Sequence, residues 1–101
     1  MGDRLPAQAG LDNKNMNWYV YFLKSEKERW YYVGSTNRLE ERLKEHNLGK
    51  VFSTKLYCPL KLVYFLNFAT GKEARNYERK IKDMRREKER IIRLIENKEV
   101  Y

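Results

Sequence analysis

The sequence predicts a single domain of the α+β class. Two short aromatic and β-branched runs, residues 18–23 and 30–34, lie close enough to form a hairpin, and a third such run covers residues 61–68. Segments with helical periodicity separate and follow these strands. At 101 residues the chain has room for one modest core and not for two.

In the hairpin, side chains alternate faces with a period of two. Tyr19, Tyr21 and Leu23 therefore share one face of the first strand, with Val20 and Phe22 on the other. In the second strand Trp30, Tyr32 and Gly34 lie on one side and Tyr31 and Val33 on the other. A four-residue loop, Ser25 to Glu28, would pair Lys24 with Arg29 and set Tyr21 directly opposite Tyr32. Gly34 beside the two phenols leaves space for a ligand to approach the backbone.

Ser35, Thr36 or Asn37 can cap a helix from Arg38 to about Asn47, which Gly49 ends. Leu39, Arg42, Leu43 and His46 fall within one arc roughly 100° wide, while Glu40, Glu41, Lys44 and Glu45 lie outside it. An arginine and a histidine one turn apart on a leucine face point to a polar site. A lone histidine is more often a satisfied core residue, but an inward guanidinium needs a carboxylate or a phosphate to offset its desolvation.

Residues 50–59 read as a loop, in which Lys50, Ser53, Thr54 and Lys55 are candidate phosphate contacts. The run from Lys61 to Phe68 has the composition of a central strand covered on both faces. Thr70-Gly71-Lys72-Glu73 has the form of a capping box, opening a helix with Ala74, Tyr77, Ile81 and Met84 on one face. Glu78 lies at the edge of that stripe, placed either to pair with Lys82 or to reach the sheet. The chain then continues as helix from Arg85 to Lys98, with Ile91, Ile92, Leu94 and Ile95 on its apolar side.

Residues 1–15 lack periodic apolar positions and read as a disordered tail before a single domain over 16–101. Met16 is either an original start or an internal residue. A net charge of +8 and a pI near 9.6 point to a polyanionic partner, most simply nucleic acid. Cys58 is the only cysteine, which excludes a disulfide framework and a cysteine-rich metal site. No apolar run has the length of a signal-peptide core or a membrane span, so the expected setting is cytoplasmic, with no membrane partner.

Two tyrosines, an arginine, a histidine and one glutamate beside a basic surface form a recognisable set. One carboxylate cannot build a two-metal site. It can hold one octahedral Mg²⁺ whose other positions are water and phosphate oxygens, which suits one-metal phosphodiester hydrolysis.

The order and spacing of this set resemble the GIY-YIG nuclease domain. Tyr19-Val20-Tyr21 matches the first signature with Tyr19 in place of the glycine, and Tyr32-Val33-Gly34 matches the second. The family arginine falls at Arg42, a histidine follows at His46, and the metal-binding glutamate of the later helix falls at Glu78. The segment His46-Asn47-Leu48-Gly49-Lys50 is similar to that of small stand-alone members. The resemblance implies a three-stranded antiparallel sheet flanked by helices. It also implies an endonuclease acting on DNA, single-stranded or duplex, with Mg²⁺ or Mn²⁺ at Glu78. Tyr21 or Tyr32 would activate the attacking water with His46 as its partner, and Arg42 would hold the scissile phosphate.

Two departures narrow the match. Ser35 stands where the excinuclease branch carries lysine, and Arg93 where the homing-endonuclease branch carries asparagine. The rival expectations are a catalytically weak nucleic-acid-binding module of the same fold and an interaction domain unrelated to nucleic acid.

Overall fold

The computed structural model describes residues 17–99. The expected tail, residues 1–15, lies outside the described residues. The elements are β1 (Trp18–Ser25), β2 (Tyr31–Thr36), α1 (Leu39–Asn47), a 3₁₀ turn (Lys55–Tyr57), β3 (Leu60–Phe68), α2 (Gly71–Asp83) and α3 (Arg85–Glu99). The three strands form one antiparallel sheet in the order β2-β1-β3. The α+β class and the sheet with flanking helices are as expected.

The sheet separates two apolar clusters. On one face Val20, Phe22, Tyr31, Val33, Tyr64 and Leu66 pack against Ala74 and Ile81 of α2 and Ile91, Ile92 and Ile95 of α3. On the other, Tyr21, Leu23 and Leu60 meet Trp30, Tyr32, Leu39, Leu43 and Phe65. These faces are the ones that strand alternation predicts.

The hairpin register differs from the expected one. Tyr21 lies opposite Gly34, Leu23 opposite Tyr32 and Lys24 opposite Tyr31, two partners away from the Tyr21–Tyr32 pairing. The connection still has four residues between its closing pair, but it is displaced by one: the Ser25 N–H donates to Trp30 O (2.9 Å). Ser25 is fully buried, and its hydroxyl donates to Tyr57 O (2.8 Å) and accepts from Lys27 N (3.1 Å), which draws it into the sheet. A two-residue change of partner preserves the faces.

The central strand is β1, and β3 is an edge strand, contrary to the reading of its apolar run. An apolar run reports coverage of its faces and not its place in the sheet. A bulge between Tyr64 and Leu62, opposite Phe22 and Leu23, keeps both faces of β3 in step with β1.

Thr70 caps α2 as expected, its hydroxyl accepting from Glu73 N (3.1 Å). The helix ends at Asp83, and Met84, at φ −106° and ψ 83°, separates it from α3. Met84 is consequently 48% exposed and outside the core stripe in which periodicity placed it. The break lets α3 turn its isoleucines back onto the sheet.

Candidate active site

Four of the expected side chains converge on the sheet face that α1 covers. Tyr21 Oη lies 2.9 Å from His46 Nε2, and His46 Nδ1 lies 2.8 Å from Thr54 Oγ1. The Thr54 hydroxyl in turn points to Val51 O at 3.4 Å. One assignment makes every donor in this chain agree: Thr54 donates to Val51, His46 Nδ1–H donates to Thr54, and Tyr21 O–H donates to His46 Nε2. The imidazole nitrogen facing the phenol is then a proton acceptor.

Burial drives the electrostatics. Tyr21 and His46 are 1% and 0% exposed. Desolvation, with Arg42 adding to it, pushes His46 down to about 4, so the ring is neutral near pH 7. Desolvation likewise pushes the Tyr21 phenol above the ordinary tyrosine range; Arg42 pulls against it, while Tyr32 and Glu78 push the same way. Arg42 is half-buried and pairs with Glu45 (3.0 Å), which, with the Tyr21 phenol, keeps the guanidinium ionised.

Tyr32 sits diagonally from Tyr21, its ring centroid 6.3 Å away and 5.1 Å from that of His46. Gly34 makes this possible. A Cβ there would lie 2.6 Å from Tyr21 Oη, 2.7 Å from Tyr21 Cζ and 2.9 Å from Tyr32 Cε2. The glycine is filled by the phenol itself and does not leave the open space expected of it.

Glu78 approaches from the other side of the β2 edge. Its Oε1 accepts from the Ser35 hydroxyl (2.5 Å) and its Oε2 pairs with Lys82 Nζ (2.6 Å), so both readings of Glu78 hold at once. The carboxylate is only 20% exposed. Lys82 also lies 5.3 Å from the Tyr32 ring centroid, which ties this cluster to the phenols.

Among the described residues, no three His, Cys, Asp or Glu side chains gather as a metal centre. The donor set nevertheless fits one hard cation of the kind that keeps most of its water. Glu78 is a largely desolvated carboxylate that already carries a positive group, and that group is an exposed i,i+4 lysine, which is weakly held.

In the connection between α1 and β3, Lys50, Ser53 and Lys55 are exposed. Thr54 is not: it is fully buried against His46, which removes it from the candidate phosphate contacts and makes it the partner that orients the imidazole. Sequence reasoning missed Thr54 in this role, Glu45 as the partner of Arg42, and Ser35 as that of Glu78. Asn47 Nδ2 donates to Leu60 O (2.8 Å) and Asn47 Oδ1 accepts from Leu60 N (2.6 Å), clamping the end of α1 to β3. Gly49, at φ 76°, ends the helix turn as expected.

The GIY-YIG catalytic domain family matches residues 17–90. The UPF0213 protein CPE1444 of Clostridium perfringens is 41% identical over 83 residues, covering 81% of this chain and 86% of that protein. The UPF0213 protein YazA of Bacillus subtilis is 36% identical over 76 residues, covering 74% and 76%. The UPF0213 protein HQ_3675A of Haloquadratum walsbyi is 37% identical over 75 residues, covering 73% and 83%. No solved structure matches the chain at a significant level.

Proposed function

Because the chain belongs to the GIY-YIG catalytic domain family, whose fold implies nuclease activity, we propose that it is a metal-dependent endonuclease hydrolysing DNA phosphodiester bonds with low sequence specificity. In this reading single-stranded or irregular DNA is as good a target as duplex. The observation that carries this reading is the hydrogen-bonded chain from Thr54 through His46 to Tyr21, with Arg42 beside the phenol.

Tyr21 is the phenol with an internal proton acceptor, which favours it over Tyr32 as the residue that takes the water's proton. As its oxygen accepts that proton, its own passes to Nε2 of His46, and Arg42 balances the negative charge that builds on the phosphate. A histidinium held down to about 4 gives the proton up again readily, which resets the site. Glu78 would hold the divalent cation, Mg²⁺ or Mn²⁺, which would supply Lewis-acid stabilisation of the leaving oxygen. Tyr32 lies half-buried beside Tyr21 and His46, and Lys50, Ser53 and Lys55 are offered to flanking phosphates.

One observation favours a second reading, a nucleic-acid-binding module with little chemistry: Lys82 occupies Glu78. Incubation of the purified protein with supercoiled plasmid and with circular single-stranded DNA separates the two. Cleavage in Mg²⁺ or Mn²⁺ that stops on addition of EDTA is the expected result. Salt-sensitive binding of both DNAs with no cutting of either would leave the binding module standing instead.

A further inference from the structure

The connection from α1 to β3 makes one irregular helical turn. The N–H groups of Thr54 and Lys55 both reach back to Val51 O (3.1 Å each), and that of Tyr57 reaches Thr54 O (2.9 Å). In such a turn residues three and four apart share a side. Val51 and Thr54 face inward and are buried, while Phe52, Lys55 and Leu56 share the outer side. Phe52 is 83% exposed and Leu56 78%.

This is not a loose loop with stray apolar residues. Thr54 is fixed to His46. The Tyr57 ring stacks on Trp30 with centroids 3.7 Å apart and planes within 3°, and Tyr57 O accepts from Ser25. Cys58 Sγ donates to His46 O (3.0 Å). The turn is pinned on its inner side to the histidine of the site and presents a phenylalanine to solvent on its outer side. Lys55 Nζ lies 5.0 Å from the Phe52 centroid, over one face of a ring whose exposure leaves the remainder open. A π-face next to a lysine, with Lys50 nearby in the chain, suits a nucleobase and its phosphate better than it suits an apolar protein surface.

We propose that Phe52, flanked by Leu56 and Lys55, is a stacking platform for an unpaired base of a strand bound at the site to which this turn is pinned. The proposal rests on the nuclease reading and adds a specificity-determining residue to it. A base within a duplex is already stacked on its neighbours and cannot use the platform, so the effect is confined to unpaired strands.

The test measures binding by fluorescence anisotropy in a Glu78→Gln background with EDTA present, which suppresses cutting, with a labelled oligonucleotide as a single strand and as a blunt duplex. Phe52→Ala is expected to weaken single-strand binding roughly 10- to 100-fold and duplex binding by less than about two-fold. Phe52→Tyr, which keeps the ring, is expected to restore single-strand binding. Unchanged melting of Phe52→Ala confirms that an exposed side chain was removed without harm to the fold. A background protein that binds while Phe52→Ala binds both DNAs equally well overturns the platform alone. Equal losses on single strand and duplex overturn it in favour of a general charge or structural effect. Loss of a concentration-dependent dimer, with DNA binding intact, would assign the patch to a second copy of the chain. A background protein that binds neither DNA removes the nuclease reading and the platform together.

Discussion

Glu78→Gln is expected to lower the cleavage rate by about 10²- to 10³-fold while leaving the fold nearly as stable as before. The side chain keeps its shape, and its amide oxygen can still accept from the Ser35 hydroxyl at the β2 edge. What disappears is the charge. On the stability side, this charge pairs with Lys82, an exposed residue one turn along α2, and such pairs contribute about 0.3–0.5 kcal/mol. On the catalytic side, it is a carboxylate held by Ser35 at the β2 edge, its lysine partner lying against the Tyr32 ring. A rate assay and a urea melt on the same preparation check both halves. A large loss of stability alongside the loss of rate would mean that Glu78 serves the fold and not the reaction.

The second large effect is on stability against pH. His46 is the only histidine in the chain and is held neutral by burial, down to about 4 from an ordinary 6.5. Its folded value lies below its unfolded one, so the unfolded chain binds the extra proton first as pH falls. Stability is therefore full above about pH 6.5, falls as pH drops toward 4, and levels off below. The loss is about 2 kcal/mol between pH 7 and 5 and about 3 kcal/mol by pH 4. Carboxylates whose values are lowered by arginine, Glu45, Glu87, Glu89 and Glu96, lose their contributions only at lower pH, from about their ordinary 4.5 downward. The window from pH 6.5 to 5 therefore isolates His46. Urea midpoints of the wild type should fall across it, and those of His46→Gln should start lower and stay flat. A flat wild-type profile would mean that the imidazole takes a proton in place, and the donor order inferred for Tyr21, His46 and Thr54 would not hold.

The parts of the structure that were legible in the sequence follow from periodicity. Alternation assigned Tyr21 and Tyr32 to one face and Val20, Phe22 and Val33 to the other, because a pleat with a period of two admits no third choice. Helical spacing likewise put Arg42 and His46 on the side of α1 that faces the sheet. The hairpin register was not legible, because Ser25 looks like a loop residue until Tyr57, far along the chain, supplies an acceptor for its hydroxyl. Strand order was hidden for a similar reason: nothing in the residues of β3 says that β1 lies between it and β2. Thr54 read as a solvent-facing hydroxyl because its neighbours Ser53 and Lys55 are polar. Only the turn geometry separates it from them and points it at His46. The family spacing picked out side chains that lie near one another, but the partners that hold them, Thr54, Glu45 and Ser35, come from other elements or from positions that spacing gave no reason to choose.

The proposed hydrolysis requires Glu78 to exchange the Lys82 ammonium for a divalent cation within reach of Tyr21, His46 and Arg42. Crystals soaked in Mn²⁺ with a non-cleavable dinucleotide test this directly through the anomalous signal of the ion. The expected map places one ion at roughly 2.0–2.2 Å from a Glu78 carboxylate oxygen, with Lys82 swung away and a phosphate oxygen on Arg42. An ion bound elsewhere, with Lys82 still paired to Glu78 and the dinucleotide remote from Tyr21, would contradict it.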